Sequence, residues 1–170
     1  LCVLPVHSLQ DPAASGLVDS NEAPGANITG TSDLTPVASQ IEMIQKLVPD
    51  AKTVGVFYTS SETNSKLQAD MAIEAGEKLG YTMETYTVSQ SSEIQQVVES
   101  MVGKIDALYI PTDNLLASNM PTVSMVANQA KIPTICGESG MVENGGLCVC
   151  RFRQMERSMK SKLRKWSIMQ

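Results

Sequence analysis

Histidine is almost absent from this chain: His7 is the single one in 170 residues. A Ser–His or Cys–His pair, or a His-built metal site, has nearly nothing to be made from. No G-x-S-x-G elbow, Walker loop, G-x-G-x-x-G turn or H-E-x-x-H helix occurs. Positive charge is also short, with 13 Lys and Arg against 18 Asp and Glu and a net charge of −5. That balance excludes the basic stripe a nucleic-acid partner requires. The one basic cluster runs from Arg151 to Lys165. No apolar run approaches the ~20 residues that cross a bilayer. Aromatics make up only 4% of the chain. The cysteines are Cys2, Cys136, Cys148 and Cys150. The C-x-C pair lacks a matching second pair, so buried or terminal thiols are expected and a zinc site is not. The opening "LCVLPVHSLQDP" has no charged leader and no long apolar stretch, so no signal peptide is expected in it. The first residue is not Met, which leaves the compartment open.

What is present is a rhythm. "TVGVFY" (Thr53–Tyr58) reads as a short buried strand, β-branched and aromatic. Glu62–Gly80 reads as a helix with Leu67, Met71, Ala75 and Leu79 on its inner face and a glycine stop. Tyr81–Val88 is a second strand. A helix capped at Ser91 or Ser92 then runs to about Val102 on Ile94, Val97, Val98 and Met101. Ile105–Ile110 is a third strand. A helical stretch follows, Leu115–Lys131, with Pro121 early in its second part. Ile132–Cys136 is a fourth strand. Upstream, Pro36–Val48 is a helix on Val37, Ile41, Ile44 and Leu47. Strand and helix alternate roughly every 27 residues, the size of a βα unit. The expected fold is α/β: an open parallel sheet with helices on both faces and right-handed crossovers, in a Rossmann-like lobe.

Ligands of open parallel sheets bind outside the carboxyl ends of the strands. The four ends here read Thr59-Ser60-Ser61-Glu62, Ser89-Gln90-Ser91-Ser92, Thr112-Asp113-Asn114 and Gly137-Glu138-Ser139-Gly140. All are small and polar, and three lead into helix N-termini whose free N–H groups favour anions. The same residue types are ordinary N-caps. Ser61, Ser92 and Asn114 therefore read either as caps or as ligand groups. Asp113 beside Asn114 offers two side chains where a cap needs one. Asp113 and Glu138 are the available acid–base pair, but no nucleophile or metal accompanies them. The ends look like ligand holders without a reacting group, so no catalytic residue, metal or cofactor is expected.

The segments "PGANITGTSDLTP" (24–36), "LVPDAKTVGVFYTSSETNS" (47–65), "VGKIDALYIPTDNLLAS" (102–118) and "KIPTICGESGMVENGGL" (131–147) resemble the extracytoplasmic substrate-binding proteins of ABC importers. The likeness is to the branch with a type I periplasmic-binding fold linked to aromatic amino acids such as tryptophan. It covers about Asp11 to Leu147, with four separated motifs in order. The resemblance implies two α/β lobes closing on a small molecule, an ABC permease as partner and no bond chemistry. It implies residues 1–33 as a remnant of the first lobe and the hinge crossing, 34–147 as the second lobe, and 148–170 as a divergent basic tail. It implies ligand contact at Thr31, Ser32 and Asp33, at Ser60, Ser61 and Asn64, at Asp113 and Asn114, and at Glu138 and Ser139. Ser61 and its helix N-terminus suit an amino-acid carboxylate, and Asp113 suits the α-ammonium.

The ends depart from the family pattern, as a truncated or frame-shifted gene model would make them. One lobe is half a cleft, so weak or absent ligand binding by this chain is expected. Apolar surface left at the hinge side is expected to let copies pair or aggregate. Two other readings remain at this point. One is the ligand-sensing domain of a transcription regulator, which would need a helix-turn-helix not seen here. The other is a small α/β enzyme using Asp113 and Glu138.

Overall fold

The computed structural model describes residues 35–149 continuously and, before them, residues 4–9, 13, 16, 18–20 and 28–32. Asp33 and the tail from residue 150 onward lie outside the described residues, and Thr31 and Ser32 are described by their backbone alone. The chain divides into two compact units, 1–35 and 36–170. In the first, β1 (Leu4–Leu9) pairs in parallel with β2 (Ile28–Ser32), Leu4 opposite Ile28, with a register shift between Val6 and Leu9. His7 thus lies in β1. Thr31 and Ser32 are the last two residues of β2.

The second unit runs α1 (Val37–Leu47), β3 (Thr53–Thr59), α2 (Thr63–Lys78), β4 (Thr82–Val88), α3 (Ile94–Met101), β5 (Ala107–Ile110), α4 (Asn114–Ser118), α5 (Met120–Gln129), β6 (Thr134–Cys136), α6 (Ser139–Glu143) and β7 (Cys148–Val149). All five strands are parallel, in the order β4-β3-β5-β6-β7. Val54 of β3 stands between Met83 of β4 and Ala107 of β5. The sheet runs two residues beyond Leu147, because Cys148 and Val149 pair with Ile135 and Cys136. Pro121 lies in the first turn of α5, where its missing N–H costs nothing.

Both faces of the sheet are covered, as alternating βα units require. On one face Phe57, Leu108 and Ile110 pack with Ile94, Val98 and Met101 of α3 and Met120 and Val123 of α5. On the other, Val54, Val56, Tyr109 and Ile135 pack with Val37, Ile41 and Ile44 of α1 and Ala69 and Ala72 of α2. All four residues of β5 are buried, consistent with a central parallel strand.

The inner face of α2 differs from expectation. Its buried residues are Ser65, Gln68, Ala69, Ala72 and Gly76, while Leu67, Met71, Ala75 and Leu79 are only half-buried. The cause is close approach. A Cβ on Gly76 would fall 2.2 Å from the Met83 sulfur of β4. Ala69, Ala72 and Gly76 therefore meet the sheet.

Strand order places the site. The chain moves from β3 outward to β4, then returns to the other side of β3 for β5. The direction of winding reverses between β3 and β5, the place where open α/β sheets hold ligands at their carboxyl ends. The loops that meet at this point are 59–62 and 111–114.

Candidate functional site

Asp113 leaves β5 in extended backbone and caps α4. It is 1% exposed. Its Oδ1 accepts from Leu116 N at 2.9 Å and from the Thr59 hydroxyl at 2.8 Å, and its Oδ2 accepts from Thr59 N at 2.7 Å. The cap of α4 is therefore Asp113, and Asn114 is the first helical residue; the cap role open to Asn114 falls to its neighbour. Three of the roughly four acceptor directions of this carboxylate are filled by the chain itself. A buried charge held by three donors ties β5 to β3 across the winding reversal.

Glu62 makes the reciprocal link. It precedes α2 and sends its carboxylate to the start of α4. Oε2 accepts from Asn114 N at 3.1 Å and Asn114 Nδ2 at 3.0 Å, and Oε1 from Leu115 N at 3.2 Å. These N–H groups belong to a first helical turn, which has no intrahelical acceptor for them. Two further bonds join the same loops: Asn64 Nδ2 and Ser65 Oγ each donate to Thr112 O at 3.1 Å. Gln68 Oε1 accepts from Thr112 N at 3.0 Å. Gln68 Nε2 and Thr112 Oγ1 are buried here without a partner among the described residues. Ser60 donates through N and Oγ to Val88 O of β4, at 2.9 and 3.3 Å. Ser61 is exposed at the entry to α2, whose N-terminus no side chain caps.

The end of β6 is fastened by backbone. A Cβ at Gly137 would stand 2.6 Å from Thr112 N and 2.7 Å from the Pro111 carbonyl carbon. Glycine is required for this approach. Gly137 N donates to Ile110 O at 2.7 Å. Beneath it, Gln40 of α1 joins two strands: its Nε2 donates to Gly137 O at 3.4 Å and its Oε1 accepts from the Tyr109 hydroxyl at 2.8 Å. Tyr109 is completely buried, and burial pushes its phenol up. It is a core residue with a satisfied polar tip.

Glu138 and Ser139, which follow Gly137, are half-buried. Burial, and then the nearby Asp113 charge, raise the Glu138 carboxyl above its ordinary range. Glu138, just after β6, thus lies within reach of the Asp113 charge at the end of β5. The geometry assembles Ser60, Ser61, Asn64, Asp113, Asn114, Glu138 and Ser139 at one edge of one sheet.

The fourth strand end stands apart. Ser89 N and Oγ and Gln90 N and Nε2 all donate to the Glu93 carboxylate of a 3₁₀ turn, Ser91–Glu93. The pattern is a capping box closed on itself, with Gln90 at the cap instead of Ser91 or Ser92. The bond from Ser89 N, chiefly, holds the Glu93 carboxyl below its usual range. Among the described residues, no group of three or more His, Cys, Asp or Glu side chains is placed to hold a metal ion. No described helix is long and apolar enough to cross a membrane.

This architecture has clear relatives. A tyrosine-binding protein of Clostridioides difficile is 47% identical over 143 residues, 84% of this chain and 41% of its own length. An ABC domain from Streptococcus pneumoniae, solved in complex with L-Trp, is 36% identical with a TM-score of 0.77, across 97% of this chain and 57% of its own. A ligand-free, open substrate-binding protein with adhesive properties from C. difficile is 42% identical with a TM-score of 0.74, across 96% and 55%. The chain thus spans about half the length of the relatives it matches. The family model described as ABC transporter substrate binding protein matches residues 4–162, beyond both ends of the four motifs, and the chain belongs to that family.

Proposed function

We propose that this chain is the second α/β lobe of an extracytoplasmic solute receptor that presents an amino acid, with an aromatic one favoured, to an ABC permease, without bond chemistry. In this reading residues 34–147 form the lobe, and residues 1–33 are the remnant of the first lobe and the crossing. The observation that carries it is the pairing of opposite polarities at the winding reversal. On one side is the uncapped N-terminus of α2 beside Ser60 and Ser61. On the other are the acceptors Asn114 and Glu138, with the Asp113 charge buried behind them. An amino acid carries the complementary pair, a carboxylate for the helix N–H groups and an ammonium for the acceptors.

Relatives named for tyrosine or solved with L-Trp support the aromatic preference. Thr31, Ser32, Asp33 and Ser139 belong to the same proposed contact set. Catalysis is disfavoured by Asp113 itself, because a general base needs a free acceptor and this carboxylate is spent on Thr59 and Leu116. One lobe offers one wall of a cleft, so the affinity of this chain is expected to be weak. Titration with L-tyrosine or L-tryptophan, followed by two-dimensional NMR, tests the reading. Shifts confined to residues 59–64, 112–115 and 137–139 are the expected result. Saturable shifts elsewhere, or chemical conversion of the ligand, would overturn it.

A further inference from the structure

We propose that Glu62 is a positioning residue that sets which end of an amino acid this edge accepts. The inference rests on the site reading above and deepens it. Glu62 lies outside the residues that motif position assigns to the ligand, yet it controls one of them. A side-chain amide has an accepting and a donating end of nearly the same shape, and its partners decide which way it points. An ionised carboxylate only accepts. The bond from Asn114 Nδ2 to Glu62 Oε2, at 3.0 Å, therefore turns the donating end of Asn114 inward. Asn114 is exposed, and its Oδ1 has no partner among the described residues. The same logic holds for Asn64, whose Nδ2 is spent on the Thr112 carbonyl at 3.1 Å. Both amides at the winding reversal commit their nitrogen to a bond within the chain.

Around them, three hydroxyls are turned inward as well. The Thr59 hydroxyl bonds Asp113, the Ser65 hydroxyl bonds Thr112 O, and the Ser60 hydroxyl bonds Val88 O. The outward oxygen of Asn114, on the same strand-end edge as Glu138, thus presents an acceptor. It suits an ammonium, which has three donors and no acceptor. It repels a carboxylate. Glu62 is what keeps Asn114 in this orientation, so it fixes the direction in which a zwitterion lies along the edge.

The test is Glu62→Gln, which replaces an obligate acceptor with an amide able to bond Asn114 in either orientation. Affinities for L-tyrosine and for its des-amino analogue, 3-(4-hydroxyphenyl)propionate, are measured by NMR titration on the wild-type chain and the variant. The expected result is a fall of about tenfold in preference for the amino acid, with the analogue unchanged. The effect is expected to vanish in an Asn114→Ala background, which a purely structural role would not produce. Without ligand, the Asn114 side-chain amide protons should exchange faster in the variant. Equal weakening of both ligands, or an unchanged preference in a folded variant, overturns the inference and leaves the site reading intact. Failure of the wild-type chain to bind either ligand overturns both. If Glu62→Gln does not fold, Glu62→Asp serves, with a shorter reach to Asn114 and the same criteria.

Discussion

Two carboxylates at the carboxyl edge of the sheet do opposite work. Glu93 gathers Ser89 and Gln90, four and three residues away, and closes its own loop. Glu62 reaches Asn114 and Leu115, 52 and 53 residues away, and Asp113 answers by holding Thr59, 54 residues away. The first arrangement consumes the polarity of a peripheral strand end. The second joins two central strand ends and leaves oriented groups facing outward. Polar residues at a strand end therefore do not mark a site by themselves; what their hydrogen bonds join separates a self-contained turn from a joint between strands.

The largest effect expected from breaking this contrast is at Asp113. Asp113→Ala strands the Thr59 N–H, the Thr59 hydroxyl and the Leu116 N–H in a buried place. A loss of about 3 kcal/mol or more is expected in urea unfolding. A loss under about 1 kcal/mol would mean that the two loops are not joined by this side chain. Gly137→Ala comes next, because its Cβ meets backbone that cannot swing away. It should cost about 2 kcal/mol and shift NMR resonances at both Pro111–Thr112 and Glu138.

Glu138→Gln sharpens the contrast through pH. The Glu138 carboxyl titrates above its unfolded value. Between those two values the folded state binds more protons, so stability falls as pH rises through that window. The penalty of the ionised group is then fully present above the folded value. Removing the charge should raise the melting temperature at neutral pH and flatten the pH dependence across the window. It should also abolish the loss of amino-acid affinity expected as pH falls and Glu138 gains its proton. A variant whose stability profile still matches wild type would refute the assigned cause. Glu93→Gln should have the smallest effect. Faster amide exchange is expected at Ser89 and Gln90, with residues 59–64 and 112–115 unchanged. Spread of exchange into those residues would show that the peripheral loop is not self-contained.

Much of the fold could be read from sequence, because alternating apolar strands and periodic helices each carry their own signal. Four strand ends could be placed for the same reason. The misreadings share a cause: distance along the chain. Nothing near Gly76 says that Met83 will press on it, so the four-residue spacing of Leu67, Met71, Ala75 and Leu79 reads as the inner stripe. Cys148–Val149 is too short for periodicity and becomes a strand only through its pairing with β6. Asp113 and Asn114 are both cap formers, and only the starting point of the helix chooses between them. Glu62 resembles any acid before a helix until topology sets α4 beside it.

The tie between these loops has a kinetic and entropic consequence. Glu62, Asp113 and Gly137 fasten three strand ends into one block, so little ordering remains to be done when a molecule arrives. Binding to such an edge gives up mainly the ligand's own freedom, and the approach should resemble docking onto a preorganised surface more than induced fit. Any adaptation to differently shaped side chains must then come from whatever faces this edge, not from the edge itself.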